Sequence, residues 1–261
     1  MLKDIRCFVL DMDGTFYLGS NLIEGSLEFI DTLKSQGRDF LFLTNNSSKN
    51  GSYYVNKLAN MGCNVDRDKV FTSGEATAIY LSRRKKQKKV YVLGTEFLKE
   101  ELLEYDIPVV DDDPDLIVIG FDTTLTYDKL SKVCNYIRNG VPFIATHPDY
   151  NCPTEYGMIP DIGAILAFVE ASTGKRPKRI IGKPHSEIVN SLLEKTGYRK
   201  SDIAIVGDRL YTDIATGIDH GIFSILVLTG ETKLEDLEQS SIKPHMIFDS
   251  LEDISDKLRE F

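Results

Sequence analysis

Cysteine is scarce in this sequence, and the cysteines that occur are far apart. They form no C-x-x-C pair, and no paired histidines lie near them. Their positions are Cys7, Cys63, Cys134 and Cys152. This scatter favours free thiols in a reducing compartment over a disulfide framework, with a zinc site as a remote alternative.

Long apolar runs are also lacking. No run approaches the length of a membrane span, and the chain reaches Asp11 before the apolar core of a signal peptide could form. The sequence therefore predicts a soluble, cytoplasmic protein without a membrane partner.

Acidic residues outnumber basic ones. The sequence has 40 aspartates and glutamates and 31 lysines and arginines, so the formal net charge is −9. Such a charge argues against nonspecific binding to nucleic acid and gives no long-range attraction for an anionic substrate. The basic run from Arg83 to Lys89 is better explained as a solvated helix end and turn than as a nucleic-acid site. Any positive charge that binds phosphate must therefore be local.

The sequence does contain an alternation of short β-rich runs and amphipathic helical patterns. At 261 residues and 42% hydrophobic residues it suits one large domain or two smaller ones. "CFVLD" precedes a helical pattern over 26–35, "DFLFLTNN" precedes one over 53–61, and "RIIG" precedes one that Gly197 ends. "IAIVGD" and "FSILVL" are continuous apolar runs, typical of strands covered on both faces. The predicted fold class is α/β with a doubly wound, Rossmann-like parallel sheet.

The stretch from about 80 to 178 repeats this alternation with "KVYVLG", "DLIVIGF" and "VPFIATH". We interpret it as a second α/β unit inserted into the first. The predicted domains are a core formed by residues 1–79 and 179–261 and an insert formed by residues 80–178.

Polar and charged residues follow the predicted strands at their carboxyl ends, where open α/β sheets bind ligands. These residues are Asp11, Asp13, Thr44, Asn45, Lys183, Asp208 and Asp213. Four acids and one lysine leave a formal charge of −3, which a divalent cation would reduce to −1. Mg²⁺ prefers carboxylate and carbonyl oxygens and keeps room for a substrate phosphate. The pattern therefore predicts a Mg²⁺ site.

Over essentially the whole chain, these segments resemble the haloacid dehalogenase-like hydrolases. "DMDGT" matches the first motif of that family, "LTNN" the second, Lys183 in "GKP" the third and "GDRLYTD" the fourth. Only one helix and one strand fit between Asp13 and Thr44, whereas the stretch from Thr44 to Lys183 is far longer than a crossover needs. This spacing places a C2-type cap after the second motif, which is similar to the NagD-like, para-nitrophenyl phosphatase branch.

The resemblance implies roles for the four acids. Asp11 is the nucleophile that forms an aspartyl-phosphate, and Asp13 protonates the leaving alcohol and then activates water. The Mg²⁺ ligands are the Asp11 carboxylate, the Asp13 backbone carbonyl and the Asp208 carboxylate. Asp213 is a ligand either directly or through water, or else a plain acid at a helix N-terminus.

The resemblance also implies the phosphate-binding groups and the function. Thr44 and the Asn45 backbone N–H hold the phosphoryl group, and Lys183 compensates charge on Asp11 and on the phosphate. The implied function is a Mg²⁺-dependent phosphatase for small phosphomonoesters such as sugar phosphates or nucleoside monophosphates, with para-nitrophenyl phosphate as a surrogate. The alternatives are a metal-free haloacid dehalogenase, a receiver-like phospho-binding module and a catalytically silent binding protein. The implied partner is a small phosphorylated metabolite, and a homodimer is possible because relatives often pair through the cap.

Discrimination among leaving groups is expected from the cap, because the core supplies only phosphate-directed groups. The segment "THPDYNCPTEYGMIPDIGA", residues 146–164, follows an apolar strand and is rich in turn formers and polar residues. We expect Tyr150, Asn151 and Asp161 to contact the leaving group, the alternative being an ordinary long connection. His147 and His185 are interpreted as packing or hydrogen-bonding residues rather than ligands.

Overall fold

The structure is a computed structural model that describes residues 2–83, 88–154 and 156–261. The chain divides into two compact units. The first comprises Met1–Thr44, Val55–Phe71 and Leu192–Phe261, and the second comprises Asn45–Tyr54 and Thr72–Ser191. The predicted domain limits, 1–79 with 179–261 and 80–178, fall at other positions and stay a prediction.

The first unit is built on a six-stranded sheet. In chain order its strands are β1 (Cys7–Leu10), β4 (Asp39–Thr44), β5 (Val70–Thr72), β11 (Ile203–Gly207), β12 (Phe223–Val227) and β13 (Met246–Phe248). In space their order is β13-β12-β11-β1-β4-β5. β1 pairs in parallel with β11 on one side and with β4 on the other. The two strands at the centre, β1 and β11, are buried at every residue, which explains their continuous apolar sequences. The predicted doubly wound α/β class is confirmed.

Helices follow most strands, as the helical periodicity predicts. They are α1 (Ser26–Ser35), α2 (Gly51–Asn60), α3 (Ser73–Ser82), α4 (Glu96–Leu103), α5 (Tyr127–Arg138), α6 (Ile162–Thr173), α7 (Ser186–Thr196), α8 (Ala215–His220), α9 (Leu234–Gln239) and α10 (Leu251–Arg259). In the first unit α1 packs against α10, and the Arg259 guanidinium donates to the Thr32 hydroxyl at 3.1 Å. The Phe8 ring of β1 meets the Phe29 ring of α1 edge to face, with centroids 5.7 Å apart. Aromatic burial of this kind fixes the helix on the sheet.

The second unit has its own three-stranded parallel sheet. Its strands are β6 (Val90–Leu93), β7 (Leu116–Ile119) and β8 (Phe143–Ala145), with β7 in the middle. Residues of α5 and α6 cover one face, among them Val133, Ile137, Ile165 and Val169. Residues of α3 and α4 cover the other, among them Ala78, Leu81, Leu98 and Leu102. Apolar burial on both faces accounts for the continuous runs "VYVL" and "LIVI".

Two small hairpins lie outside the sheets. The first unit carries β2 (Tyr17–Leu18) and β3 (Asn21–Leu22), which pair antiparallel. The second unit carries β9 (Asn151–Thr154) and β10 (Gly157–Pro160), which also pair antiparallel. Every described residue of β9 and β10 except Cys152 is exposed. The predicted long, polar connection between β8 and α6 therefore contains an exposed hairpin.

The segment "RIIG" differs from its prediction. It was expected to be a strand of the main sheet, but it lies beside β8 of the second unit, where Ile180 bridges Ala145. The Ala145 N–H donates to the Arg179 carbonyl, and the Ile181 N–H donates to the Ala145 carbonyl, each at 3.0 Å. The apolar run is short and lies between Pro177 and Pro184, which have no backbone N–H to extend a ladder. Lys183 therefore follows a short stretch beside β8 rather than a strand of the six-stranded sheet.

Three further expectations concern the whole chain. The four cysteines are free thiols, as predicted. Among the residues described, no helix combines the length and the apolar character that crossing a bilayer requires. Much of the basic run, residues 84–87, lies outside the described residues, so its predicted helix end stays a prediction.

Candidate active site

Asp11 and Asp208 follow adjacent parallel strands. β1 and β11 pair in the register Leu10↔Val206, and the Asp11 N–H donates to the Val206 carbonyl at 2.9 Å. Because parallel neighbours end at the same edge of a sheet, both carboxylates emerge at one place. The sequence prediction that strand ends bring these acids together is confirmed for this pair.

An unusual turn after β11 places Asp213 near the carboxyl end of that strand. Residues Leu210–Ile214 form a single turn of π-helix, a rare element that is often found at functional sites. The Asp213 carboxylate accepts from the Arg209 backbone N–H at 3.2 Å. A Cβ on Gly207 would lie 2.3 Å from the Cβ and Cγ atoms of Asp213, so only glycine permits this close approach.

Asp11, Asp208 and Asp213 form what we call the carboxylate cluster. Each offers one oxygen, and these oxygens all lie within 4.8 Å of one another. Asp208 and Asp213 are each only 1% exposed, and Asp11 is half-buried. Like charges held this close in a buried place repel one another unless a cation compensates them. A donor set made only of carboxylate oxygens suits a hard divalent cation, so these residues fit the predicted metal.

Both carboxylate oxygens of Asp208 accept a hydrogen bond. The Thr15 hydroxyl donates to Oδ1 at 3.2 Å, and the Glu231 backbone N–H donates to Oδ2 at 2.8 Å. A Cβ on Gly230 would lie 2.0 Å from Oδ2, and a Cβ on Gly14 would lie 2.5 Å from it. These contacts fix the carboxylate while each oxygen keeps a further lone pair for a ligand.

Arg209 adds a positive charge next to the carboxylate cluster. Its Nε atom lies 3.1 Å from Glu231 Oε2. Burial by itself lowers the pKa of this guanidinium, but the negative charges of the cluster outweigh burial, and the pKa is raised. Arg209 therefore stays charged and offsets one of the three carboxylates.

Asp13 differs from the cluster acids in its protonation. Burial raises the pKa of its carboxyl, and the Lys57 charge, the Gly19 backbone hydrogen bond and the Arg209 charge oppose burial only in part. Lys57 itself lies over the Tyr17 ring, with Nζ 3.8 Å from the centroid. A raised pKa keeps more of the Asp13 carboxyl protonated near neutral pH, which a proton donor requires.

Thr44 is the last residue of β4 and is buried. β4 pairs with β1 in the register Leu10↔Phe42, so Thr44 lies at the same edge of the sheet as Asp11. Its predicted position at a strand end is confirmed, and its role in holding phosphate stays a prediction.

Asn45 and Lys183 come together in the second unit. The Asn45 side-chain amide donates to the Lys183 carbonyl at 3.1 Å, and its Oδ1 accepts from the Lys183 N–H at 2.8 Å. The same amide donates to Asp149 Oδ2 at 3.0 Å. Lys183 is only 3% exposed. The Asn45 side chain thus binds Asp149 and the Lys183 backbone, and the phosphate contact of its backbone N–H stays a prediction.

The three predicted specificity residues occupy different environments. Tyr150 is 67% exposed, and Asn151 is exposed at the start of β9. Asp161 is buried, and its carboxylate accepts from the Ile162 N–H at 2.5 Å and so caps α6. Asp161 thus has a local structural role, and the leaving-group contacts of all three residues stay predictions.

The two histidines singled out in the sequence are in polar surroundings. The His185 Nδ1 atom lies 3.2 Å from the Gly182 carbonyl oxygen, in keeping with the predicted hydrogen-bonding role. His147 is fully buried, and its Nδ1 lies 3.5 Å from Asp149 Oδ2 and its Nε2 3.6 Å from Asp161 Oδ1.

The sequence interpretation missed several residues around the acids. Thr15 and Arg209 lie inside the quoted motifs "DMDGT" and "GDRLYTD", so the motifs could have indicated them. Lys57 lies on α2 and Glu231 lies in the loop after β12, and neither carries a local signal. Their place near the acids depends on packing between elements that are distant in sequence.

Two protein-family models match the chain. One, described as haloacid dehalogenase-like hydrolase, matches residues 8–108. The other, described as HAD-hydrolase-like, matches residues 180–254. The first match contains Asp11, Asp13, Thr44 and Asn45, and the second contains Lys183, Asp208 and Asp213.

Named relatives cover nearly the whole chain. The 5'-nucleotidase YutF of Bacillus subtilis is 37% identical over 250 residues, which is 96% of this chain and 97% of the relative. An acid sugar phosphatase of Staphylococcus aureus is 39% identical over 251 residues, which is 96% of each chain. Among solved structures, a 4-nitrophenylphosphatase from Thermotoga maritima is 49% identical, with a TM-score of 0.95 and coverage of 98% of each chain.

Proposed function

The chain belongs to the haloacid dehalogenase-like hydrolases, in the NagD-like, para-nitrophenyl phosphatase branch, and on this premise we propose that it is a Mg²⁺-dependent phosphatase working through an aspartyl-phosphate. Its class of activity is that of a phosphomonoesterase acting on small phosphate esters, since its relatives are phosphatases and a 5'-nucleotidase. The proposed substrates are sugar phosphates, nucleoside monophosphates or similar small esters.

One observation supports the proposed chemistry above the others. Three carboxylate side chains meet at the edge of the sheet, and beside them Asp13 has a raised carboxyl pKa. Hydrolysis of a phosphate ester needs both kinds of group. It needs a charged nucleophile near a cation, and it needs an acid that can protonate the leaving oxygen.

Mg²⁺ when bound would withdraw negative charge from the phosphoryl oxygens as the transferring group develops charge. The residues proposed to hold it are Asp11 and Asp208 through their carboxylates and Asp13 through its backbone carbonyl. Asp213 is proposed as a further ligand, directly or through water. The hydrogen bonds from Thr15 and Glu231 orient Asp208 for this role.

The proposed reaction has two halves. In the first, an Asp11 oxygen attacks phosphorus in line, and the bond from phosphorus to the ester oxygen breaks while Asp13 gives its proton to that oxygen. In the second, Asp13, now a carboxylate, takes a proton from water, and the water oxygen displaces Asp11 from phosphorus. Inorganic phosphate leaves, and both aspartates return to their starting states.

The remaining residues are proposed to bind the phosphoryl group. Thr44 supplies a hydroxyl, Asn45 a backbone N–H, and Lys183 a positive charge. Arg209 is not assigned to phosphate, because its charge faces the carboxylate cluster and Glu231. We propose that it lowers the repulsion within the cluster before metal binds.

Some expectations about the cellular setting are proposals as well. We propose a cytoplasmic enzyme whose partner is a small phosphorylated metabolite, without nucleic acid or membrane, and with a homodimer as a possible assembly. The net charge of −9 supports the exclusion of nucleic acid, because a negative protein does not bind a polyanion nonspecifically.

The test is a panel of phosphomonoesters assayed with purified protein, with Mg²⁺ or with excess chelator. We expect turnover with Mg²⁺ and loss of turnover in chelator, restored by adding Mg²⁺ back. Asp11→Asn should abolish turnover, because an amide of the same shape is a poor nucleophile. The matched control is Asp31→Asn, which changes an exposed aspartate of α1 and should behave like wild type.

Each rival function gives a different result. Full activity in chelator together with release of halide from haloacids would identify a metal-free dehalogenase. One phosphoryl transfer per protein molecule without turnover would identify a receiver-like module. Phosphate binding with no hydrolysis of any ester would identify a silent binding protein.

A further inference from the structure

One loop of the second unit contacts the carboxyl ends of all three strands of that unit's sheet. After β6, the Thr95 hydroxyl donates to the Ser48 carbonyl at 2.9 Å. After β7, the Phe121 N–H donates to the Ser47 hydroxyl at 2.9 Å. After β8, the Thr146 hydroxyl lies 2.8 Å from the same Ser47 hydroxyl. The edge at which parallel α/β sheets bind ligands therefore holds a segment of the chain itself.

We call this segment, residues 45–50, the docked loop. At its end it is held by α4 as well. The Asn50 amide donates to Glu100 Oε2 at 3.0 Å, and the N–H of Gly51, the next residue, donates to Glu101 Oε1 at 2.9 Å. Hydrogen bonds along its length thus fix the docked loop to the second unit.

Asn45, the first residue of the docked loop, is held through its side chain and through its carbonyl. Its side chain binds Asp149 and both backbone groups of Lys183. Its carbonyl accepts from the Ser73 hydroxyl. Because hydrogen bonds are directional, contacts at both places leave the Asn45 backbone little freedom to move.

Ser73 has no role in the proposed mechanism and is fully buried. It is the first residue of α3 and follows the N-cap residue Thr72. The Thr72 hydroxyl accepts from the Glu75 N–H at 2.9 Å and donates to Glu101 Oε2 at 2.7 Å. The start of α3 is therefore held in place, and the Ser73 hydroxyl reaches Asn45 from a fixed position.

Loss of the Ser73 hydroxyl would leave the Asn45 carbonyl without its donor. Asn45 is only 7% exposed, so solvent water replaces this donor poorly. A buried carbonyl that lacks a hydrogen bond is unfavourable, and the chain is expected to shift until the carbonyl finds another donor. Such a shift moves Asn45 away from its present position.

We propose that Ser73 is a positioning residue for phosphate binding, because its hydroxyl fixes the Asn45 carbonyl and thereby the Asn45 N–H that receives the phosphoryl group. Ser73 itself touches no substrate and acts through Asn45. The proposal rests on the proposed function in one respect, since it takes the Asn45 N–H to bind the phosphoryl group.

The test substitutes Ser73→Ala in the full-length, Mg²⁺-loaded enzyme. We expect KM for para-nitrophenyl phosphate and Ki for inorganic phosphate each to rise roughly fivefold, the effect of weakening one hydrogen bond. The kcat value should change by less than about twofold, because the contact binds the phosphoryl group before and during the reaction. Steady-state kinetics with phosphate as a competitive inhibitor measure all three quantities.

The matched control is Ser191→Ala. Ser191 is also fully buried in the second unit, and its hydroxyl donates to the Ala76 carbonyl of α3 at 3.2 Å. Both substitutions remove a buried hydrogen bond from a hydroxyl to a carbonyl, so Tm should fall by about 2 to 4 °C in each. In Ser191→Ala the KM and the phosphate Ki should stay at their wild-type values.

A second variant, Ser73→Cys, tests whether the donor itself matters. Cysteine has a side chain of similar size, and its S–H is a weak donor. KM and the phosphate Ki of Ser73→Cys should therefore rise roughly two- to threefold and lie between those of the wild type and Ser73→Ala. If Ser73 only packs against its neighbours, neither variant changes KM.

An unchanged KM and Ki in Ser73→Ala, or an equal rise in Ser191→Ala, overturns the proposal. If Ser73→Ala does not fold, Ser73→Cys decides in the same way: raised values of KM and Ki support the proposal, and wild-type values overturn it. Failure of the proposed function looks different, because the wild-type enzyme would then not hydrolyse para-nitrophenyl phosphate.

Discussion

Among the residues, Asp11 and Asp13 show how two acids of one motif come to differ. Asp11 lies within the carboxylate cluster, next to the Arg209 charge, whereas burial raises the pKa of the Asp13 carboxyl. The raised pKa favours the acid form of Asp13, which is the form that a proton donor needs.

The proton-donor role of Asp13 predicts a dependence on the leaving group. In Asp13→Asn, kcat for an alkyl phosphate should fall by about 10²-fold or more, which is the usual contribution of general acid catalysis to the rate. The loss for para-nitrophenyl phosphate should be much smaller, because nitrophenolate leaves with little protonation. Steady-state kinetics on both esters measure this, and equal losses would contradict the acid role.

The raised pKa of Asp13 also predicts a stability change with a definite sign. An aspartate whose folded-state pKa lies above its unfolded value destabilises the fold at pH values above both, where the buried group must ionise. Asp13→Asn removes this cost, so in chelator its Tm should exceed the wild-type Tm at pH 7 to 8. The difference should shrink as pH falls through the folded-state pKa toward about 4. A Tm difference that is constant over this range would argue against the raised pKa.

At the scale of elements, the π-turn Leu210–Ile214 and Gly207 together set the position of Asp213. The substitution Gly207→Ala places a Cβ where Asp213 now lies, so Asp213 must move away from the cluster. We expect the Mg²⁺ concentration for half-maximal activity to rise roughly tenfold, comparable to the loss of one well-placed ligand contact. The control is Gly197→Ala, where φ is +69° and no atom lies within 4 Å of the added Cβ. Backbone strain should lower its Tm but leave the Mg²⁺ requirement unchanged.

The hairpin β9–β10 gives a second prediction at this scale. Tyr150 and Asn151 stand exposed at its base, where a leaving group could be contacted. Replacing both with alanine should change the ranking of substrates in a phosphomonoester panel while sparing a small ester such as acetyl phosphate. Tyr127→Ala is the control, since Tyr127 is 78% exposed at the start of α5. A uniform loss over the panel, or no change, would place the specificity determinants elsewhere.

Comparison of the helices and strands with their predictions shows which structural features the sequence alone can predict. Periodicity gave α1 over residues 26–35 and placed Asp11 and Asp208 at strand ends, since both signals are local. The run "RIIG" was misassigned because strand pairing is a long-range property, and this segment pairs with β8 of the second unit instead of the main sheet. For the same reason nothing in the sequence pointed to Lys57 beside Asp13.

For the molecule as a whole, the clustered acids predict that metal and stability are linked. Without Mg²⁺, the Arg209 charge opposes the repulsion within the carboxylate cluster only in part. Chelation should therefore lower Tm, and added Mg²⁺ should raise Tm in a concentration-dependent way. Asp208→Asn should raise the Tm in chelator, because repulsion falls, and should reduce the increase that Mg²⁺ produces. Thermal unfolding with and without Mg²⁺ measures both effects. An Asp208→Asn protein with the wild-type response to Mg²⁺ would contradict the assigned ligand role.

The pairing of β1 with β11 has a consequence for how the chain is made. Cys7 of β1 pairs with Ile203 of β11, so the centre of the main sheet joins segments that leave the ribosome far apart in time. Until β11 emerges, β1 has one neighbour, β4, and the other edge of an entirely apolar strand is unpaired. Closing so long a loop is slow, and an exposed edge of this kind invites association between nascent chains. The protein should therefore depend on chaperones during synthesis, and the proposed metal ligands Asp11 and Asp208 come together only once nearly the whole chain has been translated.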